Sequence, residues 1–409
     1  MVGRVFLRNA AVATQRDVAS PRVQMKRQFR RFASSAPPKA EPSGSIFTRD
    51  WKVPAGLGFA LIGFLQWHHL THPTDEERRD HPAPAVRRLP GDPTSFETSM
   101  ATERQLQSLK LLPYRAASRL WGRVHDKELP TWLREPLYKA WTAVFDCHLD
   151  EMKYPLESYI NLGEFFSRPL KDGARVWDTD AAHMPSPVDG RVASIGVVDN
   201  SSGIPVLEQI KGSRYRLDEF LGDLPPFFQG KSSTTTSGKK LYHCVIYLAP
   251  GDYHRIHSPV DWVVSERRHF PGNLFPVNTT AVRLIPSLFV ENERAALIGE
   301  WDHGFYSLTA VGATNVGSIA LTHEPNFRSN TKEQDELQGQ CLTKKYDAPY
   351  KSARGDEIAQ FKVRLLLMVE LELLGSTVVL VFEAPENFEF TVKPGEKLRL
   401  GTSIGQFTE

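Results

Sequence analysis

A chain of 409 residues with 41% hydrophobic and 24% charged side chains has the balance of a globular protein and the length for two or three domains, and its Gly and Pro content excludes fibrous and solenoid classes. The net charge of +2 hides an asymmetry: residues 1–50 carry ten Lys/Arg against three Asp/Glu, so the remainder is slightly acidic and lacks the basic face that nucleic-acid binding needs. The three cysteines, Cys147, Cys244 and Cys341, are far apart and odd in number, so no disulfide framework or CxxC motif can be read, and buried small hydrophobes are the expected reading.

Residues 1–40 hold Arg4, Arg8, Arg16, Arg22, Lys26, Arg27, Arg30 and Arg31, with Asp17 the one acid and Val2, Val5, Phe6, Leu7 and Val12 interleaved. Arg-rich, Ser-containing and acid-poor is the composition of a mitochondrial transit peptide. Residues 41–100 read as a linker containing a short apolar anchor at about 53–67: Val53–Leu65 (VPAGLGFALIGFL) has no charge, and Trp51 and Trp67 flank it. The run is shorter than the roughly 20 residues of an ordinary spanning helix, but tryptophans suit the interface and the basic side would keep its N-terminal end in the matrix.

From 101 to 170 the apolar spacing turns helical, through Leu106, Leu109, Leu112, Ala117, Leu120 and Trp121, then Trp132, Leu133, Leu137, Trp141, Val144 and Phe145. The aromatic content of the second stretch suits either a helix core or a membrane-facing surface. From 171 to 409 the period shortens towards two. Strands are expected at Arg191–Val197, Leu241–Leu248, Trp262–Arg267, Arg294–Glu300, Ser307–Val311, Val316–Leu321 and Val378–Glu383, with two short ones in Val392–Leu400 around Lys393-Pro394-Gly395. Gln229–Lys240 is a low-complexity surface insertion. The fold class is therefore α+β: membrane-associating N-terminal helices, then a mainly antiparallel, β-barrel-like catalytic core.

Three stretches carry the chemistry: Ser186-Pro187-Val188-Asp189-Gly190-Arg191-Val192, the segment Tyr247–Pro259 (YLAPGDYHRIHSP), and Leu374-Gly375-Ser376-Thr377-Val378-Val379. Singly each is weak. Asp-Gly before a strand is usually a turn, Gly-Ser-Thr is commonly a bulge, and His254 and His257 lack further ligands at metal spacing, so no metal is assigned. Together they supply an Asp, a His and a Ser. A hydroxyl becomes a nucleophile when an imidazole, oriented by a carboxylate, takes its proton.

The three motifs in this order resemble those of the phosphatidylserine decarboxylase family, pyruvoyl-dependent enzymes. The resemblance runs from about residue 110 to the C-terminus and includes Phe165–Lys171 (FFSRPLK), Pro271–Asn278 (PGNLFPVN) and Val311–Ile319 (VGATNVGSI). It implies self-cleavage between Gly375 and Ser376. His257, oriented by Asp189, would deprotonate Ser376, whose oxygen attacks the Gly375 carbonyl; elimination and hydrolysis then leave a pyruvoyl group. The products would be a β chain ending at Gly375 and an α chain of residues 376–409, associated as a heterodimer. The covalent pyruvoyl cofactor, with neither metal nor PLP, would form a Schiff base with phosphatidylserine in the membrane and release CO2 and phosphatidylethanolamine. By the same resemblance His254 would protonate the carbon that loses CO2 or hold the substrate carboxylate, and Tyr247, Phe275 and Val277 would contact substrate. The mitochondrial branch of the family implies the inner membrane, with the core on the intermembrane-space side.

One stretch departs from the family pattern. Between Phe361-Lys362 and Leu374 lies Val363–Leu373 (VRLLLMVELEL), an apolar segment without a turn residue, where the family runs almost directly on. Two readings stand, non-coding bases carried into the coding sequence, which we prefer, and a genuine insertion that impairs maturation. The alternatives in function are a serine hydrolase using Asp189, His257 and Ser376 without cleavage, and a processing-dead, membrane-anchored relative.

Overall fold

Strand formation in this chain follows from runs rich in β-branched and aromatic residues, and where such a run is uninterrupted, as in Ser376–Pro385, the strand is buried on both faces of the sheet. The computed structural model describes residues 114–116, 118–119, 126–198, 205–210, 213–223, 238–277, 285, 287–314, 316–362 and 375–408. The readings made for residues 1–100 and for Val363–Leu373 therefore lie outside the described residues.

Helices α1 (Thr131–Phe145) and α2 (Leu162–Phe166) precede the strands. In chain order these are β1 (His183–Pro185), β2 (Gly190–Val197), β3 (Val206–Ile210), β4 (Ser213–Arg216), β5 (Lys239–Leu248), β6 (Arg255–His257), β7 (Trp262–Phe270) and β8 (Arg294–Trp301). Then come β9 (Gly304–Val311), β10 (Ser318–Leu321), β11 (Leu342–Ser352), β12 (Glu357–Lys362), β13 (Ser376–Pro385), β14 (Phe388–Phe390), β15 (Lys397–Leu398) and β16 (Ser403–Phe407). The largest sheet runs β11-β7-β8-β9-β13-β5-β2-β15 and every paired neighbour is antiparallel. Three smaller sheets, β10-β12-β6, β1-β16-β14 and β3-β4, accompany it.

The expected barrel is not formed. The large sheet is open, with β11 and β15 at its edges. Both edges are protected by other means: β11 (LTKKYDAPYKS) is charged and mostly exposed, and β15 has two residues. The same charges hid β11 in the sequence, because the strand has no apolar alternation. The strands expected from alternation are present, with Val316–Leu321 shortened to Ser318–Leu321, and Val392–Leu400 contributing only Lys397–Leu398.

Of the helical expectation for 101–170, the stretch from Trp132 to Phe145 lies in α1, while Leu106, Leu109, Leu112, Ala117, Leu120 and Trp121 lie outside the described residues. In α1 Tyr138 and Trp141 are buried and Tyr138 stacks on Phe165 at 4.5 Å, while Trp132 and Val144 are exposed. In α2 the Asn161 side chain caps the helix by accepting from Glu164 N at 2.8 Å, and Phe165 and Phe166 face inward. No helix among the described residues is long and apolar enough to cross a membrane. Cys147 and Cys244 are buried as expected; Cys341, beside the charged edge strand, is exposed.

Alternation along β13 divides the core. Val378, Leu380 and Phe382 join a cluster with Phe165, Phe166, Ile256 and Phe361, whereas Val379 and Val381 join a second cluster with Val245, Phe275 and Val277. Burying each of these large side chains contributes about 1.5–3 kcal/mol. With β13 paired to β5 over its full length and to β9 over Thr377–Phe382, the C-terminal segment is held to the sheet independently of its peptide link at residue 375.

Candidate active site

The first motif forms a tight entry into β2. Ser186 Oγ donates to Val188 O at 2.7 Å, and Asp189 follows just before the strand. Gly190 is needed there because a Cβ would lie 2.5 Å from the Tyr247 carbonyl oxygen. The Asp189 carboxylate is fully engaged. It accepts from Arg175 Nε at 2.9 Å and from Leu400 N at 2.7 Å, both on Oδ1, and its second oxygen pairs with Arg175 Nη2. Arg175 also donates to Glu151 at 2.8 Å, and Glu151 accepts from Arg399 at 2.7 Å. Burial opposes the Arg175 charge, but the Asp189 and Glu151 carboxylates outweigh it and raise its pKa.

The second motif forms the turn between β5 and β6. Asp252 caps it by accepting from Ala249 N at 2.7 Å, and burial raises the Asp252 pKa above the usual carboxylate range. His254 is wholly buried, with the Phe166 ring 4.0 Å away, and its Nδ1 lies 2.9 Å from Asp252 O. A carbonyl oxygen only accepts, so Nδ1 carries the proton and Nε2 is left with a lone pair and no hydrogen-bond partner. Burial, reinforced by the Arg168 charge, lowers the His254 pKa to about 3. His257 has the same tautomer by the same logic. Its Nδ1 donates to Gly355 O at 2.8 Å, and its Nε2 accepts from the Tyr253 hydroxyl at 3.0 Å. Burial holds its pKa below the ordinary value; the Gly355 carbonyl and the Glu357 carboxylate act in the opposite direction, and Asp189 does so more weakly.

The two motifs dock on each other through His257 N, which donates to Pro187 O at 2.9 Å. Strand register brings the third motif alongside. Thr377 of β13 and Arg191 of β2 both stand opposite Tyr247 of β5, so Ser376 and Gly190, then Gly375 and Asp189, are the next positions out on either side of that central strand. Two strand spacings separate those backbones by roughly 10 Å. Ser376 is wholly buried and its Oγ has no hydrogen-bond partner. A Cβ on Gly375 would lie 2.5 Å from the Tyr247 ring and hydroxyl, so the tyrosine packs directly on this glycine. A small cleft of about 20 Å³ lies against Glu151, Arg168, Arg175, Asp189, Asp252 and Tyr253.

The fold thus gathers the Asp and His loops and places the Gly-Ser junction two strands away, but the hydrogen bonds differ from an Asp–His–Ser chain. His257 is oriented by the Gly355 carbonyl, and Asp189 reaches it through its charge, because Arg175 and Leu400 occupy the carboxylate. Tyr247, Phe275 and Val277 belong to the second core cluster, on the face opposite the Ser376 side chain; Phe275 and Val277 are buried there, and Tyr247 reaches Gly375. Among the described residues no group of three His, Cys, Asp or Glu side chains is placed to hold a metal. Sequence reasoning missed Arg168, Arg175, Tyr253 and Gly355. The first lies in the FSRPLK stretch and the third in the His motif, so both were within quoted motifs; Arg175 and Gly355 had no local signal.

An Asp turn, a His turn and a buried Gly-Ser junction arranged around one sheet define a class: the sequence model for phosphatidylserine decarboxylase matches residues 162–406, and the chain belongs to that family. It is 42% identical over 317 residues to the mitochondrial phosphatidylserine decarboxylase proenzyme of Pongo abelii, covering 72% of each chain. It is 38% identical over 369 residues to mitochondrial proenzyme 1 of Oryza sativa, covering 76% of this chain and 81% of the relative. With mitochondrial proenzyme 1 of Saccharomyces cerevisiae the identity is 35% over 377 residues, covering 72% of each.

Proposed function

We infer that this chain decarboxylates phosphatidylserine to phosphatidylethanolamine and CO2, as a mitochondrial proenzyme that matures by cleaving itself between Gly375 and Ser376. The carrying observation, beside family membership, is the Gly-Ser junction. Ser376 opens a strand held on both sides by β5 and β9, its hydroxyl is buried without a protein partner, and the preceding residue must be glycine to lie under Tyr247. A carbonyl formed at position 376 fits this setting, since cutting before Ser376 leaves Thr377–Pro385 paired in the sheet.

In maturation His257 is the base. Its Nε2 lone pair accepts the Ser376 proton once the Tyr253 hydroxyl moves aside, the Gly355 carbonyl keeps the ring oriented, and the Asp189 charge favours the imidazolium. The Ser376 oxygen then attacks the Gly375 carbonyl. The ester formed is opened by elimination, and hydrolysis leaves the pyruvoyl group on an α chain of residues 376–409. That group supplies an electrophilic carbonyl for the serine amine and accepts the electron pair released with CO2. The residues of the chain do the rest: Tyr247 walls the Gly375 side of the junction, and His254 presents Nε2 from an apolar wall for proton transfer. The α and β chains remain together through β13, and the catalytic core works at the inner membrane on its intermembrane-space face.

Intact-mass measurement of the expressed full chain tests this. Two species parting at Gly375–Ser376, the smaller with the mass deficit of serine-to-pyruvoyl conversion, are expected, while Ser376→Ala stays whole and forms no phosphatidylethanolamine. An uncut chain labelled by a fluorophosphonate would make it a serine hydrolase instead.

A further inference from the structure

The Asp189 carboxylate sits in a network that joins segments on both sides of residue 375. The side chains of Asp189, Arg175 and Glu151 are largely buried, so their polar atoms find partners within the protein. Arg175 meets Asp189 with two arms, Nε on Oδ1 at 2.9 Å and Nη2 on Oδ2, and Leu400 N adds a third donor at 2.7 Å. The other terminal nitrogen of Arg175, Nη1, donates to Glu151 Oε2 at 2.8 Å and to Ala174 O at 2.9 Å. Glu151 in turn accepts from Arg399 Nη1 at 2.7 Å. Two carboxylates and two guanidinium groups thus balance, and the planar fork of Arg175 fixes where the Asp189 oxygens point. Glu151, Arg175 and Asp189 precede residue 375, whereas Arg399 and Leu400 follow it, so the clamp spans both products of the cut.

We propose that Arg175 is a positioning residue for self-cleavage: it clamps Asp189 and, through the turn that Asp189 closes, holds His257 in place. This rests on reading Asp189 and His257 as the maturation groups. The path from one to the other is short. Pro187, two residues before Asp189, offers the carbonyl that accepts from His257 N at 2.9 Å. The start of the turn is tied to the C-terminal segment, since Gly401 N donates to Ser186 O at 3.0 Å and Ser186 N to Thr402 O at 2.7 Å. Its end is held by Gly190, packed against Tyr247 O, and by the Arg175 fork on Asp189. Without the fork, Asp189 keeps a single donor, Leu400 N, beside a cleft with room for roughly one water. A buried carboxylate stripped of its cation turns outward to solvent, and it draws the Ser186–Gly190 turn away from His257 as it goes.

Pulse-chase of the full-length chain, followed as loss of the precursor band, tests this. Arg175→Gln should slow cleavage by about ten- to a hundredfold. Arg175→Lys keeps the charge but offers one arm in place of two, so it should recover part of that loss and stay several-fold below the wild-type rate. The double variant is decisive. If Arg175 acts through Asp189, Arg175→Gln combined with Asp189→Asn should be no slower than the slower single variant, whereas a general loss of stability multiplies the two losses. Losses that multiply, or an Arg175→Gln chain that cleaves at the wild-type rate, overturn the proposal. Should Arg175→Gln not fold, Arg175→Lys decides alone, and cleavage at the wild-type rate by that variant overturns it. Wild-type cleavage by Asp189→Asn would instead sink the reading of Asp189 itself, whatever Arg175 does.

Discussion

His254 and His257 lie three residues apart, one on the turn before β6 and the other at the end of that strand, and both present the same tautomer, yet their surroundings differ in what meets the ring. Each donates Nδ1–H to a backbone carbonyl, Asp252 O for one and Gly355 O for the other. His257 is partly buried, meets the Tyr253 hydroxyl at Nε2, and is docked on the Asp189 loop. His254 is wholly buried under Phe166, meets nothing at Nε2, and is influenced by Arg168. The pair shows that two histidines of one motif can share a tautomer and still differ in what meets Nε2, because the groups beyond the motif differ: a carbonyl from the β11–β12 connection orients one ring, and the Phe166 ring walls the other.

The sharpest way to break this comparison is to remove each ring in turn. His257→Gln should slow self-cleavage by about 10²–10⁴, followed as loss of the precursor band, while His254→Gln should mature normally and lose a similar factor in phosphatidylethanolamine formation. If both variants stop at the same stage, the division of labour is wrong. Gly375→Ala tests the other side of the junction. The added methyl meets Tyr247, an overpacking cost of about 1–3 kcal/mol, so cleavage should slow by about ten- to a hundredfold.

Acid should separate the rings further. Both pKa values are depressed, so the unfolded chain binds protons that the folded rings refuse. Their contribution to stability is complete above about pH 6.5 and is lost as pH falls, by up to about 1.4 kcal/mol per unit for each ring. His254, lowered to about 3, should carry that slope furthest into acid, so chemical denaturation of His254→Gln precursor should be less pH-dependent between 6 and 4. The smallest effect is expected from Tyr253→Phe, which deletes one hydrogen bond worth about 0.5–1.5 kcal/mol and frees the His257 lone pair. Its cleavage rate should change several-fold at most, in the faster direction if the hydroxyl must move aside.

Runs of β-branched and aromatic residues made most central strands legible, because a strand covered on both sides buries its side chains on both faces of the sheet; Val378–Phe382 is the clearest case. The charged edge strand β11 escaped, and the sheet it borders is open where closure was expected, since an edge protected by lysines leaves no periodic apolar trace and gives closure no necessity. Asp189, His254, His257 and Ser376 could be named from local motifs and their order. Which hydrogen-bond partner each would find could not.

Local composition by itself determined the residue types that carry the chemistry and the strands that bear them, because propensity and burial act over a few neighbours. Only the tertiary structure decided the wiring: Arg175 and Leu400 on Asp189, Gly355 on His257, Arg168 on Gly251 and Tyr247 over Gly375. Those pairings join positions tens to hundreds of residues apart, and buried polar groups accept whichever partner packing brings within hydrogen-bond reach, which no spacing along the chain encodes.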